Sequence, residues 1–213
     1  MPQAKYPTPQ TALPLEPGEG ARATRLVIGN ANMAAVEALR DAQNWPFHAA
    51  VLTGPPRSGK SLLGRWARAQ GIEVIDKAEG WDEDALFHRW NASQEGGSQP
   101  GTPLLLIANA RPWDITLPDL RSRLGGSLQL ELGEPDDVMA AQLVEALAEE
   151  RGLSLADGAV EYLVPRATRS FAELERLVRT IDRISLERAA PATMSVWRAA
   201  LEATQGPEQA SLL

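Results

Sequence analysis

The sequence predicts an α/β domain, a parallel sheet flanked by helices, followed by a small all-helical domain. Three observations carry this. From residue 24 to residue 132 short apolar runs alternate with segments of helical spacing, the pattern of strand–helix–strand units. Within that region "PLLLIAN" (103–109) is apolar throughout and bounded by Pro and polar residues, as a strand buried on both faces should be. After Gly133 the strand pattern stops and only helical periodicity remains.

Taken in order, residues 1–23 are rich in Pro, Gly, Thr and Gln and read as an extended arm. "TRLVIGN" starts the folded part, and "ANMAAVEALRDAQ" (31–43) has helical spacing. "HAAVLT" (48–53) is a short apolar run ending at a glycine loop, after which "SLLGRWARAQ" (61–70) is helical. "GIEVID" (71–76) is a strand candidate. "DEDALFHRWNASQE" (82–95) is a helix whose opening acids complement the helix dipole. "SLQLEL" (127–132) alternates like a strand.

The helical domain is expected over 133–203. "PDDVMAAQLVEALAEERG" (135–152) has Pro and two acids in its first turn and Gly at its end, which are start and stop signals. "SLADGAVEYLVPRA" begins with the Ser154-x-x-Asp157 capping pattern. "SFAELERLVRTIDRISLER" begins with Ser170-x-x-Glu173 and places Leu174, Leu177, Val178, Ile181 and Ile184 on one stripe. "TMSVWRAALEA" (193–203) closes the domain, and 204–213 reads as a tail.

Composition narrows the function classes. The 213 residues include no cysteine, so disulfides and thiolate metal sites are excluded. No run has signal-peptide or transmembrane character, which predicts a cytoplasmic protein without membrane contact. There are 28 acids against 21 bases, a net charge of −7, so direct binding to the DNA backbone is not expected. His48 and His88 have no second metal ligand at useful spacing, and the six tryptophans are scattered without interleaved basic residues.

One loop carries chemistry. Gly54-Pro55-Pro56-Arg57-Ser58-Gly59-Lys60-Ser61 fits G-x-x-x-x-G-K-[ST] in full, between a strand candidate and a helix candidate. Its glycines allow backbone N–H groups to turn inward around a phosphate, and the following helix, entered at Leu62, aims its positive end at the same point. Lys60 would reach the terminal phosphates and the Ser61 hydroxyl would ligate Mg2+. Asp76, ending the next strand, suits the metal as well. The following position, where a second carboxylate would assist hydrolysis, is Lys77, so weak or no intrinsic turnover is expected.

With these residues in place, the sequence resembles the AAA+ core of DnaA and, more closely, its short relatives of the Hda type, from about residue 25 to residue 202. "LVIGNAN" (26–32), with Ile28, looks like the adenine-lining segment, "GPPRSGKS" like Walker A and "VID" like Walker B. "LLLIANARPWD" looks like the sensor 1 strand, with Asn109 as its polar tip. "LPDLRSRL" (117–124) resembles the box whose final arginine, here Arg123, is the arginine finger that acts in trans; Arg121 would be a supporting surface charge. "SFAELERLVRTIDRIS" resembles the sensor 2 helix, where the usual arginine falls on Ala172 and Arg169 lies one turn earlier, so that the contact is either lost or taken over by Arg169.

The resemblance implies a P-loop AAA+ core with a helical lid, one βα unit shorter than usual, because only Gln70–Glu73 separate the P-loop helix from "VID". An alternative puts "EVID" in the place of the missing edge strand and leaves Walker B absent; the helix "ALFHRWN" leading into "LLLIAN" favours the deletion. The resemblance also implies ADP or ATP with Mg2+ as ligands. Its partners would be DnaA and the sliding clamp (the beta subunit of DNA polymerase III), with a homodimer also admitted, and the clamp would place the protein at the nucleoid. Such proteins promote ATP hydrolysis by DnaA and so restrain replication initiation. "QTALPL" matches their clamp-binding peptide: Gln10 would fill a polar pocket, Leu13 and Leu15 would bury apolar surface, and Pro14 would limit the entropy lost on ordering. The alternatives are a P-loop small-molecule kinase and an autonomous AAA+ ATPase.

Overall fold

The strands and helices expected from the pattern form in a computed structural model that describes residues 25–94, 101–109 and 113–209, the last five as a helical path only. The proposed clamp peptide, Gln10 to Leu15, lies outside the described residues. Two compact units result: Ala31–Gly133, and a second made by the helical region after Glu134 together with the segment that ends at Asn30.

The first unit is built on four parallel strands in the order β2-β3-β1-β4. β1 (Ala49–Thr53) is buried at every position and is flanked on both edges, as its unbroken apolar run predicts. β3 (Leu104–Ile107) is likewise buried at every position and pairs with both β1 and β2. β2 (Glu73–Asp76) and β4 (Leu128–Glu131) form the edges; Gln129 and Glu131 of β4 face solvent while Leu130 is buried. Register aligns Asp76 with Ile107, and Ile107 with Leu52, so the loops after β1, β2 and β3 leave one end of the sheet side by side.

Helical crossovers make the parallel pairing possible. α1 (Met33–Arg40) precedes the sheet, and α2 (Lys60–Ala69), α3 (Glu83–Gln94) and α4 (Pro118–Gly126) connect successive strands. α2 lies close on the sheet at Gly64, where a Cβ would stand 2.7 Å from Ile107 Cδ1 and 3.2 Å from Val74 Cγ1. α3 and α4 pack Leu86, Trp90, Leu120 and Leu124 with Ala49, Val51, Ile75, Leu104 and Leu106 of the sheet. The acids at the start of α3 act as expected, since the Asp82 carboxylate accepts from the Ala85 N–H at 2.9 Å.

In the second unit α5 (Asp137–Arg151), α6 (Ala159–Leu163), α7 (Phe171–Arg188) and α8 (Met194–Gln209) enclose their own core. Asp136 caps α5 by accepting from the Met139 N–H at 2.8 Å, and Ser170 caps α7 by accepting from the Glu173 N–H at 3.2 Å. The stripe Leu174, Leu177, Val178, Ile181, Ile184 is buried, as its spacing predicts. The Ser154 capping pattern is corrected: α6 starts later, behind Gly158 at φ 81°, so a left-handed glycine replaces the expected side-chain cap. Asn30 ties the preceding segment to this unit, donating to Glu134 O and accepting from the Asp136 N–H, both at 3.0 Å.

Candidate nucleotide site and the arginine of helix α4

The glycine loop runs from the buried end of β1 into α2, the strand–loop–helix context that a phosphate cradle requires. Gly59, the residue before α2, has φ 85° and nothing within 4 Å of where a Cβ would stand. Pro55, Pro56, Arg57 and Ser58 span the loop, with Pro56 and Arg57 exposed and Ser58 buried. Ser58 is only 4% exposed, and its hydroxyl has no hydrogen-bond partner among the described residues. A buried orphan hydroxyl inside an anion-binding turn fits a phosphate oxygen.

Lys60 is 5% exposed. Its ammonium donates to the carbonyls of Gly54 and Pro55, each at 2.8 Å, within its own loop. Burial holds it below the usual lysine range, while the nearby carboxylates of Glu79 and Asp76 oppose the fall. Ser61 is exposed and Leu62 half-buried at the start of α2. Asp76, half-buried at the end of β2, accepts from the Lys77 N–H at 2.9 Å. Among the described residues no three His, Cys, Asp or Glu side chains could hold a metal ion by themselves. A hydroxyl and a single carboxylate fit Mg2+, which takes one or two protein oxygens and completes its shell with phosphate and water. Ser61 and Asp76 are the residues that would hold it.

The third member of this cluster was not legible in the sequence. Lys77 adopts a left-handed conformation (φ 55°, ψ 46°) and turns the chain into a short 3-10 turn, Ala78–Gly80, anchored by the fully buried Ala78. Glu79 is thereby brought to Asn109 at the end of β3. Its Oε1 accepts from the Asn109 N–H at 3.1 Å and from the Asn109 side-chain amide at 2.8 Å. The expected sensor 1 tip thus orients a carboxylate.

Arg123 lies in the last turn of α4. It is half-buried, with its guanidinium carbon 4.2 Å from the centre of the Phe87 ring and 5.1 Å from that of Trp90. No hydrogen bond or ion pair takes up its N–H donors among the described residues. The Trp90 indole in turn donates to Ser127 Oγ at 3.1 Å, fixing α3 to the end of α4. At the other end of α4 the Glu83 carboxylate accepts from the N–H groups of Thr116 and Leu117, at 2.9 and 2.6 Å. These bonds hold Glu83 below the usual carboxylate range. Arg121, by contrast, is engaged by the Ile115 carbonyl.

Ile28 and Arg169 belong to the helical unit. Ile28 is half-buried, and Arg169 is exposed and pairs with Asp137 at 2.9 Å. Ala172, where the sensor 2 arginine would stand, is half-buried in the first turn of α7. His88 is exposed against Phe87, and His48 contributes to no metal cluster. Among the described residues no helix is long and apolar enough to cross a membrane.

Residues 137–196 match the family described as Hda, lid domain. The chain is 32% identical over 107 residues to the chromosomal replication initiator protein DnaA of Thermus thermophilus, covering 49% of this chain and 24% of that protein. With DnaA of Borreliella burgdorferi it shares 28% identity over 109 residues, 50% of this chain and 21% of that one. The chain therefore spans about a quarter of the length of these curated relatives. Among solved structures it is similar to domain III of Thermotoga maritima DnaA, with a TM-score of 0.64 at 14% identity, over 85% of this chain and 95% of that one. It is also similar to the Thermotoga maritima RuvB branch migration motor, with a TM-score of 0.60 at 17% identity, over 83% and 70%. A replication initiator DnaA bound to AMPPCP and single-stranded DNA gives a TM-score of 0.59 at 18% identity, over 77% and 66%.

Proposed function

We propose that this chain, which matches an Hda lid over residues 137–196 and is similar to DnaA over half its length, is a DnaA-related, nucleotide-holding AAA+ adaptor that completes the ATPase site of DnaA. The glycine loop holds ADP or ATP, with the Ser58 hydroxyl, the loop N–H groups and Lys60 on the phosphates. Ser61 and Asp76 would hold Mg2+, which would supply charge neutralisation at the phosphate oxygens when bound. The AMPPCP-bound DnaA neighbour supports this reading, as does the pairing of β2 directly against β3, which supports Asp76 as the Walker B acid.

The observation that carries the partner role is Arg123. A guanidinium held on two aromatic faces, with its donor fork untaken among the described residues, is prepared for a planar anion from outside. Placed against the γ-phosphate of ATP on DnaA, it stabilises the charge that spreads over the phosphoryl oxygens as the bond breaks. This chain's own nucleotide serves mainly to fix its shape, in keeping with Ala172 at the sensor 2 position and with Arg169 taken by Asp137. By accelerating DnaA turnover the protein restrains initiation.

The arm delivers the adaptor to DNA. Gln10, Leu13, Pro14 and Leu15 dock as an extended peptide on the sliding clamp, so the acidic chain needs no DNA contact of its own. Retention on immobilised clamp tests this part. Wild type is retained, Leu13→Ala/Leu15→Ala is lost, and equal recovery of both would remove the arm from the account.

A further inference from the structure

A groove of about 400 Å³ opens on the helical unit where α5 ends, lined by Glu145, Ala148 and Glu149 of the helix and by residues 152–155 after it. Its shape is fixed by the way the helix stops. Gly152 at φ 66° closes α5, the Leu153 N–H donates to Ala148 O at 2.9 Å, and Leu155 is held in a parallel bridge with Ala192. Leu153 and Leu155 are only half-buried, and the Glu145 and Glu149 side chains beside them are exposed. Apolar surface flanked by two acids suits an apolar peptide that carries a cation. The chain reaches the described residues at this place: the Arg25 guanidinium lies 3.9 Å from the Glu149 carboxylate, and Leu26 and Val27 next to it are buried. Residues 210–213, which include two leucines, follow α8 instead. That helix starts at Met194, two residues past the bridged Ala192, and its 16 residues carry the chain about 24 Å from that start.

We infer that the arm folds back onto this groove, with Leu13 and Leu15 on Ala148, Leu153 and Leu155 and with Arg22 paired to Glu145, so that the lid and the sliding clamp compete for the same two leucines. The competition rests on the reading of residues 10–15 as the clamp peptide; the contact itself does not. Arg22 precedes Arg25 by three residues, about 10 Å of extended chain, and Glu145 precedes Glu149 by four, about 6 Å of helix, a difference that long arginine side chains span. Between the leucines and Arg22 stand Pro17, Gly18 and Gly20, residue types at which a chain reverses. Residues 13–15 carry no charge for the two acids to repel. Because arm and lid belong to one chain, the contact forms at high effective concentration, and only the open fraction meets the clamp. A latch closed about nine-tenths of the time lowers the apparent clamp affinity about tenfold.

The test uses the full chain, which has no cysteine of its own, carrying a nitroxide at Thr8→Cys and read by nuclear magnetic resonance, with clamp affinity measured in parallel. Signal loss should concentrate on the backbone amides of Ala148, Leu153 and Leu155, vanish with Leu13→Ala/Leu15→Ala, and reverse when clamp is added. Glu145→Lys and Leu153→Ser/Leu155→Ser should each tighten clamp binding at least about threefold, part of the tenfold that full release gives. Glu145→Lys changes an exposed position and so reads the latch without disturbing the lid core. Unchanged clamp affinity in both groove variants, or signal loss that persists without Leu13 and Leu15, would overturn the latch. A label at Ser211→Cys that marks the groove in its place would overturn the arm as occupant. Signal loss that depends on the two leucines, with no clamp binding by wild type or variants, would uphold the contact and overturn the clamp reading instead.

Discussion

Replacing Arg123 by alanine separates the two tasks assigned to this chain. The guanidinium meets ring centres at 4.2 and 5.1 Å in a half-buried position. Cation–π contacts of this kind are worth about 0.5–1 kcal/mol each, so the truncation should cost the fold about 1–2 kcal/mol. For a chain of this size that lowers Tm by a few degrees, roughly 2–4 °C per kcal/mol. Arginine fingers contribute about 10³–10⁵ to phosphoryl transfer, so the loss at the partner's site should be far larger than the loss of stability. The assay is conversion of labelled ATP preloaded on DnaA, followed with increasing amounts of wild-type chain, Arg123→Ala and Arg123→Lys on clamp-loaded DNA. Arg123→Ala should lose stimulation by at least about 100-fold while still binding nucleotide and clamp. Arg123→Lys should recover little, because an ammonium lacks the planar fork. Phe87→Leu, which removes one face of the platform, should cost about two- to fivefold, the equivalent of about 0.5–1 kcal/mol. Undiminished stimulation by folded Arg123→Ala would refute the reasoning.

Three further outcomes follow from the geometry. Lys60→Met should abolish nucleotide binding. Because burial depresses the lysine below its ordinary 10.5, the cost of its buried charge is fully present below the lowered value and fades as pH rises toward 10.5; the Tm difference between Lys60→Met and wild type should therefore shift in favour of wild type over that rise. Glu83→Gln should lower Tm at neutral pH, and the gap should close as pH falls below 4.5 through the depressed range of Glu83, where wild type loses the same charge-assisted bonds to Thr116 and Leu117. Gly64→Ala should destabilise by about 1–3 kcal/mol in chemical denaturation, the ordinary cost of overpacking, because its methyl group would press on Ile107 and Val74.

The fold was legible where pattern and burial coincide. The unbroken apolar runs of β1 and β3 can be satisfied only inside a sheet, and the α7 stripe only against other helices. The strand–loop–helix turn at Gly54–Ser61 was legible because its backbone needs are written in residue types. Glu79 was hidden because its placement depends on a left-handed lysine, a conformation that side chains rarely adopt and that no neighbouring residue type announces. The Arg123 platform was half visible: Phe87 and Trp90 are three apart on one helix and so share a face, but the cation above them comes from α4, across an intervening strand. The start of α6 was misplaced because Gly158, in the left-handed region, ends the preceding turn later than the Ser154 pattern suggests.

The most direct measurement is a structure of this chain with DnaA carrying ADP and a planar mimic of the transferring phosphoryl group. The account predicts the Arg123 guanidinium within about 3 Å of the mimic's oxygens or fluorines, in hydrogen-bonding contact. An Arg123 still lying on Phe87 and Trp90, with some other cation at the mimic, would contradict it.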